Sequence, residues 1–381
     1  MATTPYLSYR MKQPKTLFLV AIALLPLILV SCSLFGGASI SGGWAGTTFR
    51  DGIIYACSRD GRVVAINSSN QSQQWDYTFT STTIYATPIV DGDLVYVGTY
   101  SGQVCALTID RGIERWVYPR TGSIGAIVGT PVVANETIYI SSSDGRVYAL
   151  DTTYGDLKWK SEPLADKLWT SPKVMGATLY VSTFDGHIYA LSVETGERLA
   201  WSFEAAAGFA SSPVSDGDTI FLGSFDRHLY AVKIGSDVPM WKFPKEKPAG
   251  NWFWASPIVN EGIVYAGCLD GKLYAIKAET GEKLWEFDAG DPIISSPVLV
   301  DNLLIVANEA GNVYVINPET GEGERIKNPE NDDKPTINAQ IKASFCAHDG
   351  LVYIRDENNQ LYIVDIEKKE VREPISLTAK E

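Results

Sequence analysis

Three features of the sequence predict an all-β fold, an eight-bladed β-propeller of four-stranded antiparallel blades. A tight-turn dipeptide recurs eight times, at intervals of 40 to 48 residues, short apolar runs flank each turn, and a tryptophan closes most of the repeats. Four short strands repeated with a period near 42 residues are typical of propeller blades. The repeats span residues 44–375, which are predicted to form the propeller, and residues 376–381 form a C-terminal tail.

The turn dipeptides mark the hairpin between the second and third strands of each blade. Asp-Gly between alternating apolar runs is a strong hairpin signal, because both positions must accept a positive φ. The eight pairs are Asp60-Gly61, Ser101-Gly102, Asp144-Gly145, Asp185-Gly186, Asp226-Arg227, Asp270-Gly271, Ala310-Gly311 and Asn358-Asn359. Since the turn explains each Asp, these acids are not interpreted as calcium ligands.

Proline and tryptophan each occupy one fixed position of the repeat. Proline lacks an N–H and suits the start of an inner strand that borders the central channel; it occurs there as Pro88, Pro131, Pro172, Pro213, Pro257 and Pro297. The fourth strand carries a tryptophan that is predicted to pack one blade against the next: Trp75, Trp116, Trp159, Trp201, Trp241 and Trp285. Arg325 and Glu373 replace it in the last two repeats. Blade eight could complete itself with Val371–Ile375 or borrow Leu34–Ile40.

Residues 1–31 are predicted to be a lipoprotein-type signal peptide, of which residues 1–10 could be an upstream extension. Lys12 and Lys15 precede the uncharged run Leu17–Val30, which is short for a membrane span. Small residues and Cys32 follow, a pattern that resembles a bacterial lipobox, in which the thiol carries the lipid. Residues 32–43 then form a flexible tether. The body is expected outside the cytoplasm, on the outer membrane if the source has one and otherwise on the outer face of the cytoplasmic membrane.

Charge, histidines and cysteines limit the function further. The net charge of −13 disfavours nucleic-acid binding. Three histidines, His187, His228 and His348, lack the spacing of metal ligands and are predicted to lie at the surface or in turns, so no metal is expected. Cys57 and Cys346 fall in blades one and eight, which meet where the ring closes, and could form a disulfide.

Aromatic residues cluster in the loops that lead from one blade to the next. These loops lie on the same face of a propeller as the turn hairpins, so exposed aromatic side chains there would surround one channel mouth and suit protein docking. The candidate partner-binding residues are Trp44, Tyr85, Trp169, Phe209, Trp252, Phe253 and Trp254. Alternatively, they line the channel wall or pack between inner strands. The insertion Lys245–Asn251 lengthens the last loop and favours Trp252–Trp254 as the contact.

The repeat is similar to a known one. Residues 270–285 read Asp-Gly-Lys-Leu-Tyr-Ala-Ile, then Glu-Thr-Gly-Glu-Lys-Leu-Trp, and this pattern resembles the pyrroloquinoline-quinone-type propeller repeat. Together with the lipobox cysteine, it makes the chain similar to the outer-membrane barrel-assembly lipoproteins. That resemblance implies a non-enzymatic scaffold without cofactor, which docks on a barrel-forming envelope subunit as a monomer within a complex.

Two other functions stay open. An envelope propeller that binds a glycan or another small ligand would point its aromatic side chains into a closed pocket. A quinone-dependent dehydrogenase would combine this fold with a calcium site, an Asp base and adjacent cysteines. Cys57, Cys105, Cys268 and Cys346 are scattered, however, and no catalytic constellation is found. No catalytic residue is therefore predicted.

Overall fold

The computed structural model describes residues 45–378 and confirms the all-β prediction of eight antiparallel blades. Cys32, Trp44, the predicted signal peptide and Leu34–Ile40 lie outside the described residues. Within residues 45–378, no helix is long and apolar enough to cross a membrane.

The first four blades contain sixteen strands in chain order. Blade one has β1 (Thr47–Arg50), β2 (Ile53–Cys57), β3 (Arg62–Asn67) and β4 (Gln73–Thr78). Blade two has β5 (Ile89–Asp91), β6 (Leu94–Gly98), β7 (Val104–Thr108) and β8 (Glu114–Tyr118). Blade three has β9 (Val132–Ala134), β10 (Thr137–Ser141), β11 (Val147–Asp151) and β12 (Leu157–Lys160). Blade four has β13 (Lys173–Met175), β14 (Thr178–Ser182), β15 (His187–Ser192) and β16 (Arg198–Glu204).

The last four blades follow the same order, with an extra strand at the end. Blade five has β17 (Val214–Asp216), β18 (Thr219–Gly223), β19 (Leu229–Lys233) and β20 (Trp241–Phe243). Blade six has β21 (Ile258–Asn260), β22 (Ile263–Gly267), β23 (Lys272–Lys277) and β24 (Lys283–Asp288). Blade seven has β25 (Val298–Val300), β26 (Leu303–Ala307), β27 (Val313–Ile316) and β28 (Gly323–Arg325). Blade eight has β29 (Cys346–His348), β30 (Leu351–Arg355), β31 (Gln360–Asp365), β32 (Glu370–Val371) and β33 (Ile375–Ser376).

The core lies in layers between neighbouring blades. The middle strands of each blade, such as β2 and β3, are almost wholly buried. Each of the two faces of a blade packs against a different neighbouring blade. Tyr55 and Val63 of blade one belong to one cluster with Val95 and Cys105 of blade two. Outer strands alternate between buried and exposed residues because one edge faces solvent.

Each blade-closing tryptophan docks on the next blade. The indole Nε1 of Trp116 donates to the backbone oxygen of Thr152 at 2.9 Å, and Trp285 donates to Pro318 at 3.0 Å. Under five of the six rings, all but that of Trp201, lies a glycine of the next blade's outer turn: a Cβ on Gly155 would come within 2.4 Å of Trp116. The same donation to a backbone oxygen occurs at four further residues: Trp75, Trp159, Trp201 and Trp241.

Hydroxyl groups join the inner strands around the channel. The residue before each inner-strand proline is Ser or Thr, and at five of the six positions its hydroxyl accepts a hydrogen bond from the backbone N–H of the equivalent residue one blade earlier. Thr87 N–H donates to Thr130 at 3.3 Å, Ser212 N–H to Ser256 at 3.0 Å, and Ser256 N–H to Ser296 at 3.1 Å. Equivalent positions in neighbouring blades are thereby held in register.

Different contacts occur in blades seven and eight, where Arg325 and Glu373 replace the tryptophan. Arg325 donates to the backbone oxygens of Lys334 and Asp332 and so secures its own loop. β32 and β33 both pair with β31, so blade eight carries outer segments of its own among the described residues. Arg62 of blade one donates to the backbone oxygen of Leu377 at 2.7 Å, and this bond joins the first blade to the end of the last.

We expect the tryptophan–glycine contact to be measurable with a matched pair of substitutions. Gly321 and Gly262 have φ values of +74° and +73°, so alanine causes similar backbone strain at both sites. A Cβ on Gly321 would lie 2.6 Å from the Trp285 ring, whereas Gly262 has nothing within 4 Å. Gly321→Ala should therefore cost about 1–3 kcal/mol more unfolding free energy than Gly262→Ala. Equal losses in denaturant titration would contradict this docking role.

Candidate partner-binding face

The turn hairpins and the loops between blades form one face of the propeller, here called the hairpin face. In seven hairpins, the backbone N–H of one residue donates to the loop that leads from the preceding blade into the hairpin's own blade. Examples are Phe184 to Lys167 at 3.1 Å, Phe225 to Gly208 at 2.8 Å, and Leu269 to Trp252 at 2.9 Å. These bonds fix each loop beside its hairpin, so residues from both elements surround one mouth of the channel.

Two of the predicted binding residues are buried, and that part of the prediction is wrong. Phe209 is 1% exposed and Phe253 is 0% exposed. Each follows directly after the loop residue that accepts the hairpin N–H, and the equivalent residues Ile84, Ile127, Leu168, Ile293 and Ile341 are buried as well. This position is an apolar plug between blades, so Phe209 and Phe253 stabilise the fold and do not line the mouth.

A continuous aromatic cluster covers the mouth from blade four to blade six. The ring centroids of Trp169 and Phe184 are 5.0 Å apart, and those of Phe184 and Phe225 are 4.9 Å apart. Phe225 contacts Trp252 at 5.1 Å and Trp254 at 5.9 Å. All five side chains are half-buried. We call these five residues the mouth patch.

Two tyrosines extend the aromatic surface to blade two. Tyr85, which occupies the loop position of Trp169 and Trp254, lies 5.0 Å from Tyr100 between ring centroids. The Tyr100 side chain is 45% exposed. Trp44 is expected at the same loop position between blades eight and one but lies outside the described residues. The structure thus brings Tyr85 near the mouth, separate from the mouth patch.

Blades seven and eight present charge at the mouth, at the hairpin position where blades two, four and five present aromatic rings. Lys342 Nζ lies 3.4 Å from a carboxylate oxygen of Glu309 and 3.9 Å from one of Glu357. These two acids occupy the hairpin position that Phe184 and Phe225 occupy in blades four and five. The mouth therefore has an aromatic side and a charged side, which would orient a bound partner.

Phe184, Phe225 and Tyr100 are the residues that sequence reasoning missed. Each directly precedes the turn dipeptide of its hairpin. A comparison of this single position across the repeats would have found aromatic residues in blades two, four and five. The turn dipeptide occupies the next two positions and is the stronger sequence signal, so the residue before it was not considered.

The hairpin acids are part of the hairpin structure. Tyr148 donates to Asp144 at 2.6 Å, Tyr230 to Asp226 at 2.5 Å, and Tyr274 to Asp270 at 2.9 Å. Burial, followed by the carboxylate partner, raises the pKa of Tyr230 above its usual range, so the phenol stays protonated and continues to donate.

The histidines follow the same local pattern. His187 Nδ1 lies 3.2 Å from Asp185, and His228 Nδ1 lies 3.3 Å from Asp226. His228 directly follows its hairpin turn, one of the two predicted environments, and its side chain is buried. Among residues 45–378, no three or more His, Cys, Asp or Glu side chains form a group that could hold a metal ion.

A pair of perturbed ionisable groups lies at the seam between blades one and eight. Burial lowers the pKa of Arg355 and raises that of the neighbouring Asp356. The Arg355 guanidinium donates to the side-chain oxygen of Asn359 at 3.2 Å and reaches the backbone oxygen of Ala45 at 3.5 Å. Because both residues are almost fully buried, this polar pair serves ring closure and not the mouth.

The disulfide considered between Cys57 and Cys346 is not formed. Cys57 and Cys346 are both free cysteines, as are Cys105 and Cys268. Thr47 of the first inner strand lies between blades one and eight and donates to the Cys346 sulfur at 3.3 Å. Burial raises the pKa of Cys57 to about 12 and that of Cys346 to about 11.

Comparison with known proteins identifies the fold and the family. No curated protein sequence matches the chain. BamB from Moraxella catarrhalis is similar in structure, with a TM-score of 0.67, 18% identity, and coverage of 84% of this chain and 93% of that one. The computationally designed protein Ika8 is similar too, with a TM-score of 0.71, 14% identity, and coverage of 85% and 96%. At these identities the likeness shows a shared propeller fold.

The sequence matches a family model over most of its length. That family is described as outer membrane protein assembly factor BamB, and its model matches residues 35–243 and 198–378. The chain belongs to this family.

We expect all four described cysteines to be protected thiols. At about pH 8 a buried thiol with a raised pKa is protonated and unreactive. Iodoacetamide should therefore leave Cys57, Cys105, Cys268 and Cys346 unmodified in the native protein and alkylate all four in denaturant without reductant. A non-reduced peptide pair that joins Cys57 to Cys346 would show that the two thiols bond after all.

Proposed function

We propose that this protein is a lipid-anchored, extracytoplasmic scaffold that binds envelope proteins through its hairpin face. Membership of the family supports a role in the cell envelope and in protein assembly. The lipid would be carried by Cys32, and the partner would be a barrel-assembly subunit if the source has an outer membrane. The proposed binding residues are Trp44, Tyr85, Trp169, Phe184, Phe225, Trp252 and Trp254.

The mouth patch is the observation that carries the proposal. Five half-buried rings in mutual contact across three blades form a rigid apolar surface, and tryptophan is frequent among the residues that dominate protein interfaces. Rigid aromatic side chains lose little conformational entropy on binding.

The proposed role is non-enzymatic. The perturbed groups of the hairpins and of the blade-eight seam have structural partners, as described above. A scaffold makes the mouth patch the functional centre, and the charged side formed by Glu309, Lys342 and Glu357 gives the partner a defined orientation.

The test is a substitution of the two tryptophans nearest the insertion. Trp252→Ala with Trp254→Ala should lower capture of envelope partners at least about tenfold, because truncation of aromatic interface residues removes much of the binding energy. Capture is measured by crosslinking in cells, affinity purification and mass spectrometry of the recovered proteins.

The matched control is Tyr154→Ala, which removes an aromatic side chain that is 69% exposed on an outer turn. It should leave capture unchanged. Thermal unfolding of each variant reports folding, and Trp252→Phe with Trp254→Phe, which keeps the apolar surface, should retain most of the capture. Unchanged capture in the folded alanine variant would refute the docking role.

A further inference from the structure

One turn of the hairpin face departs from the repeat and carries backbone strain. The second turn residue of each hairpin has a positive φ, and it is glycine in six blades and Asn359 in blade eight. Blade five instead has Arg227, with a φ of +68°. Glycine adopts this conformation freely and asparagine tolerates it, whereas a long side chain is strained there. The six glycine hairpins show that the turn itself does not need an arginine.

Arg227 lies at the border of the mouth patch. It follows Phe225, the ring that contacts both Trp252 and Trp254, by two positions in the chain. Its backbone oxygen accepts a hydrogen bond from the Ala249 N–H at 3.0 Å, and this bond fastens the insertion Lys245–Asn251 to the turn. The Arg227 side chain is exposed. The turn and the insertion together therefore form one edge of the mouth patch.

This edge carries three exposed cations without a carboxylate partner. Lys245 and Lys247 of the insertion are exposed like Arg227, and we call these three residues the basic corner. Among residues 45–378, none of the three forms an ion pair. Four other lysines of blades five and six each lie 2.5 to 3.2 Å from a carboxylate oxygen: Lys233, Lys272, Lys277 and Lys283. The fold therefore leaves the charges of the basic corner available to another molecule.

The two hairpin acids next to the basic corner are engaged within their own hairpins. Asp226 accepts from the Tyr230 hydroxyl at 2.5 Å, and its side chain is only 14% exposed. Asp270 accepts from the Tyr274 hydroxyl at 2.9 Å. Glu246 is exposed between the two lysines of the insertion. The exposed charge of the insertion and its turn is thus three positive against one negative.

We propose that the basic corner binds an acidic segment of the protein partner, in which Asp or Glu lies close to the apolar side chain that packs on the mouth patch. The proposal rests on the scaffold role and adds the chemistry of the partner. A guanidinium group binds a carboxylate through two parallel hydrogen bonds, and the two lysines add attraction. The strain at Arg227 is then explained by binding, since strained residues are typical of functional sites.

A photoreactive amino acid at position 246 identifies the segment that faces the basic corner. Replacement of Glu246 leaves Arg227, both lysines and the mouth patch intact. After irradiation in cells, mass spectrometry should find a partner peptide with Asp or Glu within about five residues of the crosslinked position. A peptide without an acid there, or a crosslink to phospholipid alone, would overturn the proposal.

The identified segment, made as a synthetic peptide, gives the quantitative test. Arg227→Gly should weaken binding of the peptide about tenfold, and replacement of its Asp and Glu by Asn and Gln should have a similar effect. The two changes together should cost little more than either alone, because they remove the same contact. Fluorescence anisotropy measures these affinities. Equal affinity of the wild-type protein and the Arg227→Gly variant would overturn the proposal.

Thermal unfolding separates a lost contact from a lost fold. Arg227→Gly restores the turn residue of six other blades and relieves strain, so its unfolding temperature should equal or exceed that of the wild type. The matched control is Arg115→Ala with Lys160→Ala, which removes two exposed cations from the outer strands of blades two and three and should leave binding unchanged. An equal loss of binding in this control would show an effect of net charge alone and refute the basic corner.

Capture in cells distinguishes failure of this proposal from failure of the scaffold role. If Trp252→Ala with Trp254→Ala lowers capture of envelope proteins while Arg227→Gly does not, the scaffold role stands and the acidic segment is refuted. If the wild-type protein captures no envelope protein, both proposals fail.

Discussion

The structure depends on one repeated contact, the docking of each blade on the next. A tryptophan from one outer strand packs on a glycine of the following turn and donates to a backbone oxygen there, while hydroxyl groups hold the inner strands in register. These two contacts act near opposite edges of a blade and together fix how it sits on its neighbour. Blades seven and eight each lack this tryptophan. Arg325 of blade seven instead donates to its own loop, and Arg62 of blade one donates to the end of blade eight.

This regular frame explains why the mouth residues divide so sharply between core and surface. In the loop Trp252-Phe253-Trp254, alternate side chains point in opposite directions, so Phe253 fills the gap between blades and the tryptophans approach the mouth. The equivalent triplets of other blades repeat the pattern, with Leu168 buried and Trp169 in contact with Phe184. The alternation of side chains along this loop therefore has two effects. It places Phe253 in the core between blades and places the tryptophans of the proposed binding surface at the mouth.

The fold could be predicted from the sequence because its signals are local. Asp270-Gly271 indicates a hairpin, and Pro257 indicates the start of an inner strand. Both patterns recur in most of the repeats, which strengthens the prediction. The mouth patch is harder to predict because it depends on contacts across blades. Phe209 and Trp254 look alike as exposed candidates until the loop register is known, and Phe184 joins Phe225 only because neighbouring hairpins lie side by side. The absence of a Cys57–Cys346 disulfide has a related reason. The two cysteines lie in blades that meet at one seam, but Thr47, and not Cys57, contacts the Cys346 sulfur there.

The two faces differ in chemistry, and that difference makes the central claim testable with one experiment. A photoreactive amino acid is placed at position 254 on the mouth patch or at position 216, and the protein is irradiated in living cells. Position 216 is exposed where the first strand of blade five turns into the second, on the face opposite the hairpins. The account predicts a discrete crosslink to an envelope protein from position 254 and none from position 216. A crosslink from position 216 alone, with the protein folded in both cases, would contradict the assignment of the hairpin face as the binding surface.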